Sequence, residues 1–277
     1  MDNKNPLRLD TIHNGDCLEL LARLPDEYVD LIIADPPYSI HKDFGNGHSR
    51  KTFDEWLVWS KQWLLACERV LKNGGSIFVY GIHHSLCYLQ CYLDEIELTY
   101  GRQFIWHYEN GWSTYSASPA ATYEPILWFW KGDSHTYHLI REPYKSTERL
   151  RHRITKNGKI WKPNPAGRHG GDVWHIPTLA GRRFAVEKVN HPTQKPLALC
   201  DKIIVHFSNP GDIVLVPFAG SGSECVSAFR NARHFIGFEL NPEYISIAEE
   251  RLRDTAETVT DLTHAKDEDS DLCHSGK

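Results

Sequence analysis

A chain of 277 residues with 41% hydrophobic side chains can bury a sizeable core, and none of its apolar runs approaches the roughly 18–20 residues of a membrane helix. The start, MDNKNPLRLD, lacks the basic and apolar regions of a signal peptide, so a cytoplasmic protein with no membrane partner is expected; seven scattered cysteines without a CxxC pair and sixteen histidines without an HExxH give neither a disulfide framework nor a metal site. The net charge of −5 is uneven: Lys131 to Lys195 hold 14 of the 31 basic residues against 5 of the 36 acids, a local charge of +9 in an otherwise acidic chain.

Leu9 to His13 reads as a short strand closed by Asn14 and Gly15, with Asp16 placed to cap a helix over Cys17 to Leu24. Val29 to Ala34 is a second, apolar strand that runs into Asp35-Pro36-Pro37-Tyr38. Two adjacent prolines can neither continue a strand ladder nor open a helix interior, so the chain breaks there in a fixed shape. Asp35 and the Pro36 carbonyl are acceptors suited to the two hydrogens of a planar amino group, and Tyr38 offers a face for a flat ring. An exocyclic amine on a nucleobase fits this description, because its delocalised lone pair attacks only when acceptors polarise the NH2 group. The alternative is a Pro-rich turn with a capping Asp, and four residues alone do not decide between the two. The polar, Gly-containing stretch from His41 to Thr52 reads as a mobile loop beside this turn, placed to act as a lid.

From Asp54 to Lys72 the apolar residues Leu57, Trp63, Leu64, Cys67, Val70 and Leu71 fall at helical spacing, the tryptophans read as core, and Asn73-Gly74-Gly75 reads as the stop. Ile77 to Tyr80 follows as a strand, His84 to Leu93 as a helix, Arg102 to Tyr108 as a strand, residues 110 to 120 as a loop and Pro125 to Trp130 as a strand. This alternation predicts a largely parallel sheet. The basic segment interrupts it with little periodicity, several Gly and Pro, and Tyr144, Trp161 and Trp174 set among the cations, a pattern suited to tracking phosphates. Arg149, Arg151 and Arg153 alternate, so on a strand they share one face, and Arg182-Arg183 follow a glycine.

The α/β pattern then returns: a helix over Leu197 to Phe207, a strand over Ile213 to Val216, the turn Pro217-Phe218-Ala219-Gly220-Ser221-Gly222, a helix over Ser223 to Asn231, a strand over His234 to Phe238, and Glu239 at its end. Strand, glycine turn, helix, strand and acid is the order of a nucleoside-cofactor unit. The glycines let backbone approach a ligand, and an acid about 20 residues on takes two ribose hydroxyls. GxGxxG is absent, which favours a cofactor with a ribose and no phosphates. Asn241 caps and Pro242 opens a final helix with Tyr244, Ile247, Ala248 and Leu252 on one face, and the acidic residues 254–277 read as a disordered tail.

Together, Asp35-Pro36-Pro37-Tyr38, the Phe218 to Gly222 loop, His191-Pro192-Thr193-Gln194-Lys195-Pro196 and Glu239 resemble the amino-methylating DNA methyltransferases that use S-adenosylmethionine, over roughly Asn14 to Leu252. The Pro-Pro-Tyr motif precedes the glycine loop by about 180 residues, which is similar to the circularly permuted beta group and opposite to methyltransferases of glutamine side chains. The resemblance implies a Rossmann-like α/β methyltransferase fold: residues 1–130 as the catalytic half, 131–189 as an inserted target-recognition region and 190–253 as the cofactor half.

It further implies that Asp35 and the Pro36 carbonyl hold the target amine, Pro37 fixes the turn and Tyr38 stacks on a base flipped out of double-stranded DNA. Asp35, Pro217, Phe218, Ala219, Gly220, Ser221 and Gly222 would border the cofactor, Glu239 its ribose, Asp16 and Cys17 its adenine, Thr193 and Lys195 its methionine end. DNA contacts are expected from Arg149, Arg151, Arg153, Arg168, Arg182 and Arg183. Transfer would be a direct displacement, so no cysteine has to be a nucleophile. Aspartate at the head of the catalytic motif points to adenine N6 over cytosine N4. Val216 stands where the family usually has aspartate, which removes an acceptor near the cofactor or its loop, and Ser223 stands where threonine is usual. The rivals are a non-catalytic DNA-binding protein that keeps the fold and, disfavoured by the missing pyrophosphate fingerprint, a nucleotide-dependent oxidoreductase. A homodimer and a cognate restriction endonuclease are both compatible with the same chain.

Overall fold

The structure is a computed structural model and describes residues 7–38, 52–110 and 119–274. Its first half runs β1 (Thr11–Asn14), α1 (Cys17–Leu21), β2 (Val29–Ala34), α2 (Phe53–Val70), β3 (Leu71–Tyr80), α3 (His83–Glu95), β4 (Leu98–His107) and β5 (Tyr123–Lys131). The basic segment carries β6 (Arg141–Glu142), β7 (Ile154–Lys156), β8 (Lys159–Trp161), β9 (Arg168–His169) and β10 (Val173–His175). The chain closes with α4 (Leu197–Phe207), β11 (Ile213–Val216), α5 (Ser223–Arg230), β12 (His234–Glu239) and α6 (Pro242–His274).

Eight strands share one sheet in the order β1-β12-β11-β2-β3-β5-β4-β10. Side chains alternate across it, as strand geometry requires. Ile32 and Ala34 of β2, Ile77 and Val79 of β3 and Leu215 of β11 join the core under α1, α2 and α3. Leu31 and Ile33, Phe78 and Tyr80, Val214 and Val216 join the opposite core, with Ile203 and Phe207 of α4, Ala228 of α5 and Ala248 of α6. Both faces of β2, β3 and β11 are therefore apolar, the signature of central strands covered on each side.

The sheet is parallel except around β5, which pairs antiparallel with both β3 and β4. No crossover helix lies between β4 and β5 among the described residues, so β5 returns beside β4 rather than running with it. The Asn73-Gly74-Gly75 helix stop is also corrected. Helix α2 ends at Val70, the backbone of Leu71 is already extended, and the three residues belong to β3. They loop out of register between the Val29↔Leu71 and Leu31↔Ser76 pairs. Gly75 permits this, because a Cβ there would lie 2.8 Å from the Asp30 carbonyl oxygen.

Three further expectations change. Strand β10, from within 131–189, pairs parallel with β4 and forms the sheet's edge, so the basic segment is built into the main sheet at its far end. Arg149 and Arg151 lie in a 3-10 turn over Thr147–Arg151, so they do not share a strand face with Arg153; Ser146 caps that turn by accepting the Glu148 N–H. Helix α6 continues to His274 where a disordered tail is expected, and no Gly or Pro interrupts 243–274. The lid expected at His41 to Thr52 lies outside the described residues up to 51, as do residues 111–118 of the loop expected at 110 to 120.

Helix α2 starts with a capping box: Thr52 Oγ1 accepts the Glu55 N–H at 3.3 Å and Glu55 Oε2 accepts the Thr52 N–H at 2.8 Å. Thr52→Ala is expected to cost about 1 kcal/mol of stability, read as a lower urea midpoint at unchanged m-value.

Candidate active site

Two turns separated by most of the chain meet at the centre of the sheet. Strands β2 and β11 are neighbours, with Val214 opposite Leu31 and Leu215 opposite Ile32. From β2 the chain crosses to β3 on one side, and from β11 it crosses to β12 on the other. The crevice where connections diverge beyond the carboxyl ends of parallel strands is where open α/β sheets bind ligands. Asp35-Pro36-Pro37-Tyr38 leaves β2 there and Pro217 to Gly222 leaves β11 beside it.

The Asp35 carboxylate is held from two directions. Tyr38 Oη donates to Oδ1 at 2.5 Å and Lys195 Nζ donates to Oδ2 at 2.7 Å. Lys195 is 4% exposed, 3.7 Å from Glu124 Oε2 and 5.0 Å from the centre of the Tyr80 ring. Burial alone would lower its pKa, but Asp35 and Glu124 outweigh burial and hold the ammonium charged. Lys195, expected at a cofactor's methionine end, thus sits on Asp35. Tyr38 is 8% exposed and its hydroxyl is committed to Asp35, so the ring forms a wall of the site and orients the carboxylate. Burial, then the charges of Asp35 and Glu124, push the Tyr38 phenol well above its ordinary range, keeping it a donor. The Pro37 carbonyl accepts Trp56 Nε1–H at 2.8 Å, which anchors the turn to α2.

Across the crevice, Glu239 Oε2 accepts the Gly220 N–H and its Oε1 accepts the Asn241 N–H, each at 2.8 Å. Burial raises its pKa against the pull of these backbone donors. The two glycines of the turn are there for packing as well as for ligand approach. A Cβ on Gly220 (φ +48°) would lie 2.9 Å from His191 Nε2, and one on Gly222 (φ +76°) 2.7 Å from the Ala248 Cβ. Arg251 of α6 fastens the same turn, donating to the Ser221 carbonyl at 2.5 Å and to Ser223 Oγ at 3.1 Å. Phe218 packs at 5.6 Å from Trp59 and 5.2 Å from Trp63, so tryptophans that read as core in the sequence also support the turn. Val216 points into the core under α4–α6, away from the crevice.

The crevice encloses about 820 Å³, open solvent at its mouth included, within the range of small-molecule sites. Asp16, Cys17, Asp35, Thr193, Lys195, Pro217, Phe218, Ala219, Gly220, Ser221 and Glu239 all line it, with Pro36, Pro37 and Tyr38; Gly222 does not. Asp16 is at once the cap of α1, accepting the Leu18 N–H at 2.8 Å, and part of the lining. Sequence reasoning missed His191, Glu224 and Tyr244 in the lining and the support from Arg251. The Thr193 N–H donates to His191 Nδ1 at 3.4 Å, and the His191 ring meets Tyr244 edge-on at 4.5 Å. Only His191 carried a signal, as the first residue of the His191 to Pro196 stretch.

The arginines expected to meet DNA divide into two groups. Arg168 is paired with Glu142 at 2.7 Å and Arg151 with Glu148 at 2.9 Å. Arg153, Arg182 and Arg183 are exposed and Arg149 is half-buried; Arg149 lies over the half-exposed Trp161 ring at 5.5 Å and Arg183 over Phe184 at 4.7 Å. Trp161 lies on the β7–β8 hairpin, whose turn residues Asn157 and Gly158 both have positive φ.

The family model for DNA methylases, N6/N4 type, matches residues 29–250. The type II methyltransferase M1.MboII of Moraxella bovis is 32% identical over 251 residues, covering 87% of this chain and 96% of that protein. The DNA adenine methyltransferase YhdJ of Escherichia coli (strain K12) is 35% identical over 248 residues, covering 87% and 82%. Among solved structures, the M1.HpyAVI–SAM complex superposes with a TM-score of 0.59 at 25% identity, covering 87% of this chain and 98% of that one.

Burial, with help from Lys195 and Arg251 and against Asp35, pushes the His191 pKa from 6.5 down to about 4. The unfolded chain therefore binds more protons between these values, and stability present above pH 6.5 is lost as pH falls toward 4. Between pH 7.5 and pH 5 this ring is expected to cost the wild type about 2 kcal/mol that His191→Gln does not lose, measured by urea denaturation at both pH values.

Proposed function

The chain belongs to the N6/N4 DNA methylase family, and on that premise we propose that it transfers a methyl group from S-adenosylmethionine to N6 of adenine in double-stranded DNA. The observation that carries this reading is the doubly held Asp35 carboxylate at the mouth of a nucleoside-sized crevice.

The residues fit the cofactor. Glu239 uses one lone pair on each oxygen for a backbone amide and keeps acceptor positions for two ribose hydroxyls. Asp16 and Cys17 border the adenine end and Phe218 gives an aromatic wall stiffened by Trp59 and Trp63. Thr193, Ser221 and the exposed edge of the glycine turn line the methionine end. When bound, S-adenosylmethionine supplies an electrophilic methyl group carried on a sulfonium.

Asp35 and the Pro36 carbonyl receive the two hydrogens of the adenine amino group. Each Asp35 oxygen already accepts one hydrogen bond, and a carboxylate offers about four lone-pair positions, so acceptor capacity remains. Lys195 and Tyr38 hold that carboxylate aimed, so it need not reorganise as positive charge develops on the amine nitrogen. The Pro37–Trp56 bond fixes the turn, leaving Pro36 as the carbonyl for the substrate. The base has to leave the duplex to reach this crevice. Arg149, Arg153, Arg182 and Arg183 are the proposed DNA contacts, with Arg151 and Arg168 holding the recognition segment together. Adenine is supported by the aspartate that heads the motif and by the name of the relative YhdJ. The type II designation of M1.MboII supports a cognate endonuclease as partner.

Incubation with mixed-sequence DNA and methyl-labelled S-adenosylmethionine is expected to place label in N6-methyldeoxyadenosine after digestion. Label in N4-methyldeoxycytidine would overturn the base assignment and keep the mechanism. Asp35→Ala is expected to lower the methylation rate by roughly 100- to 1000-fold, with cofactor affinity within about threefold of wild type by titration.

A further inference from the structure

Glu224 is a buried acid for which the methyl-transfer scheme has no use. It is the second residue of α5, directly after the glycine turn, and is 4% exposed. Its Oε1 has no hydrogen-bond partner, although the residue lines the same crevice as Asp35, Gly220 and Ser221. The charged and titratable groups that face it come from every element around it. Asp35 lies at the end of β2, Tyr80 on β3, Lys195 before α4, Cys200 on α4 with its thiol bonded to the carboxyl, Cys225 on α5 and Arg251 on α6. Neither nearby cation is hydrogen-bonded to its Oε1, and Arg251 Nη2 is itself without a partner. Lys195 is shared between Asp35 at 2.7 Å and Glu124 at 3.7 Å, and Arg251 Nη1 is given to Ser221 and Ser223.

A buried carboxyl with no hydrogen bond on one oxygen, beside a pocket for a cation, has a specific consequence. We propose that Glu224 is the group by which this pocket distinguishes its positively charged sulfonium cofactor from the neutral thioether product, being ionised with the first and protonated with the second. The proposal rests on the reading of the crevice as the cofactor site.

The physical argument is one of charge balance. Burial, then the charge of Asp35, raise the Glu224 pKa to about 7, so both forms are populated near neutrality. A positive charge placed in the crevice favours the carboxylate, and its removal favours the acid. In methyl transfer a C–N bond forms as a C–S bond breaks, the electron pair of the C–S bond stays on sulfur, and the amine nitrogen gives up one proton. The crevice thus loses a positive charge in the step that releases a proton, and Glu224 is the buried base whose proton affinity rises at that moment. His191, with its pKa near 4, does not titrate in this range. An acid that is neutral in the product complex holds the thioether no more tightly than its contacts require, which speeds product release.

The test is calorimetric binding of S-adenosylmethionine and S-adenosylhomocysteine between pH 6 and pH 8, in two buffers of different ionisation enthalpy. Wild type, Glu224→Gln and Glu224→Asp are compared. The ratio of thioether Kd to sulfonium Kd is expected to rise with pH about tenfold more in the wild type than in Glu224→Gln, one pKa unit of linkage. Near pH 7 the wild type is expected to release protons on binding the sulfonium that the Gln variant does not release. Glu224→Asp, which keeps the carboxylate, is expected to behave like the wild type. Titration of the ligands' own amino groups is common to all three proteins and cancels in the comparison. The same slope and proton count in Glu224→Gln as in the wild type would overturn the proposal. So would weaker binding of both ligands by one common factor, which is the result for a purely structural role. Glu239→Ala binding both ligands as tightly as the wild type would instead overturn the assignment of the crevice itself.

Discussion

A buried ammonium, Lys195 Nζ, sits 2.7 Å from Asp35 Oδ2, and this contact ties together two parts of the chain 160 residues apart. Stripping water from both charges costs several kcal/mol, and the contact is favourable only if the remaining capacity of each partner is used. Here it is: Tyr38 donates to the other Asp35 oxygen, Glu124 lies on the far side of the ammonium, and the Tyr80 ring faces it. The carboxylate of the proposed catalytic turn is therefore set by the second half of the chain. Its orientation cannot be produced by the Asp-Pro-Pro-Tyr segment alone.

The sheet makes that contact possible. Placing β2 beside β11, with crossovers leaving in opposite directions, opens one crevice between the two turns, and the helices on both faces close it below. Helix α2 serves both turns at once. Trp56 holds the Pro37 carbonyl, while Trp59 and Trp63 back Phe218. From the other face α6 reaches the glycine turn through Arg251 and Ala248. The proposed amine-binding and cofactor-binding turns are rigid for the same reason: each is fastened to a helix packed on the sheet. Rigid positioning is what a direct transfer between two bound groups requires.

The basic segment follows a different logic. Part of its charge is spent internally, Arg168 on Glu142 and Arg151 on Glu148, and Lys202 of α4 also reaches Glu142. Surface pairs of this kind add little stability. They order the segment between β5 and β10, so that the remaining exposed arginines and the ring of Trp161 stand on a defined framework. The acidic remainder of the chain then confines attraction for a polyanion to the Lys131 to Lys195 stretch, which favours an oriented approach.

Much of this was legible in the residues themselves. Short apolar runs named β2, β11 and β12, helical spacing named α4, a cap named the start of α6, and two prolines after an apolar strand marked the turn at Asp35. These features depend on neighbours in sequence, where backbone sterics and period decide. The motif order and the charge asymmetry, also local facts, were enough to indicate the family. What only the tertiary structure decided were the partners of polar atoms and the neighbours of strands. Lys195, expected near the methionine end of the cofactor, lines the crevice and pairs with Asp35, a partner that the sequence did not name. Asn73-Gly74-Gly75 has the composition of a helix stop and bulges within β3 because the Asp30 carbonyl leaves no room for a side chain at Gly75. Glu224 and Arg251 look like ordinary helix-surface residues and are turned inward at the glycine turn. A hydrogen bond or ion pair between distant residues leaves no periodic trace in a sequence, because it is selected by the packing of whole elements.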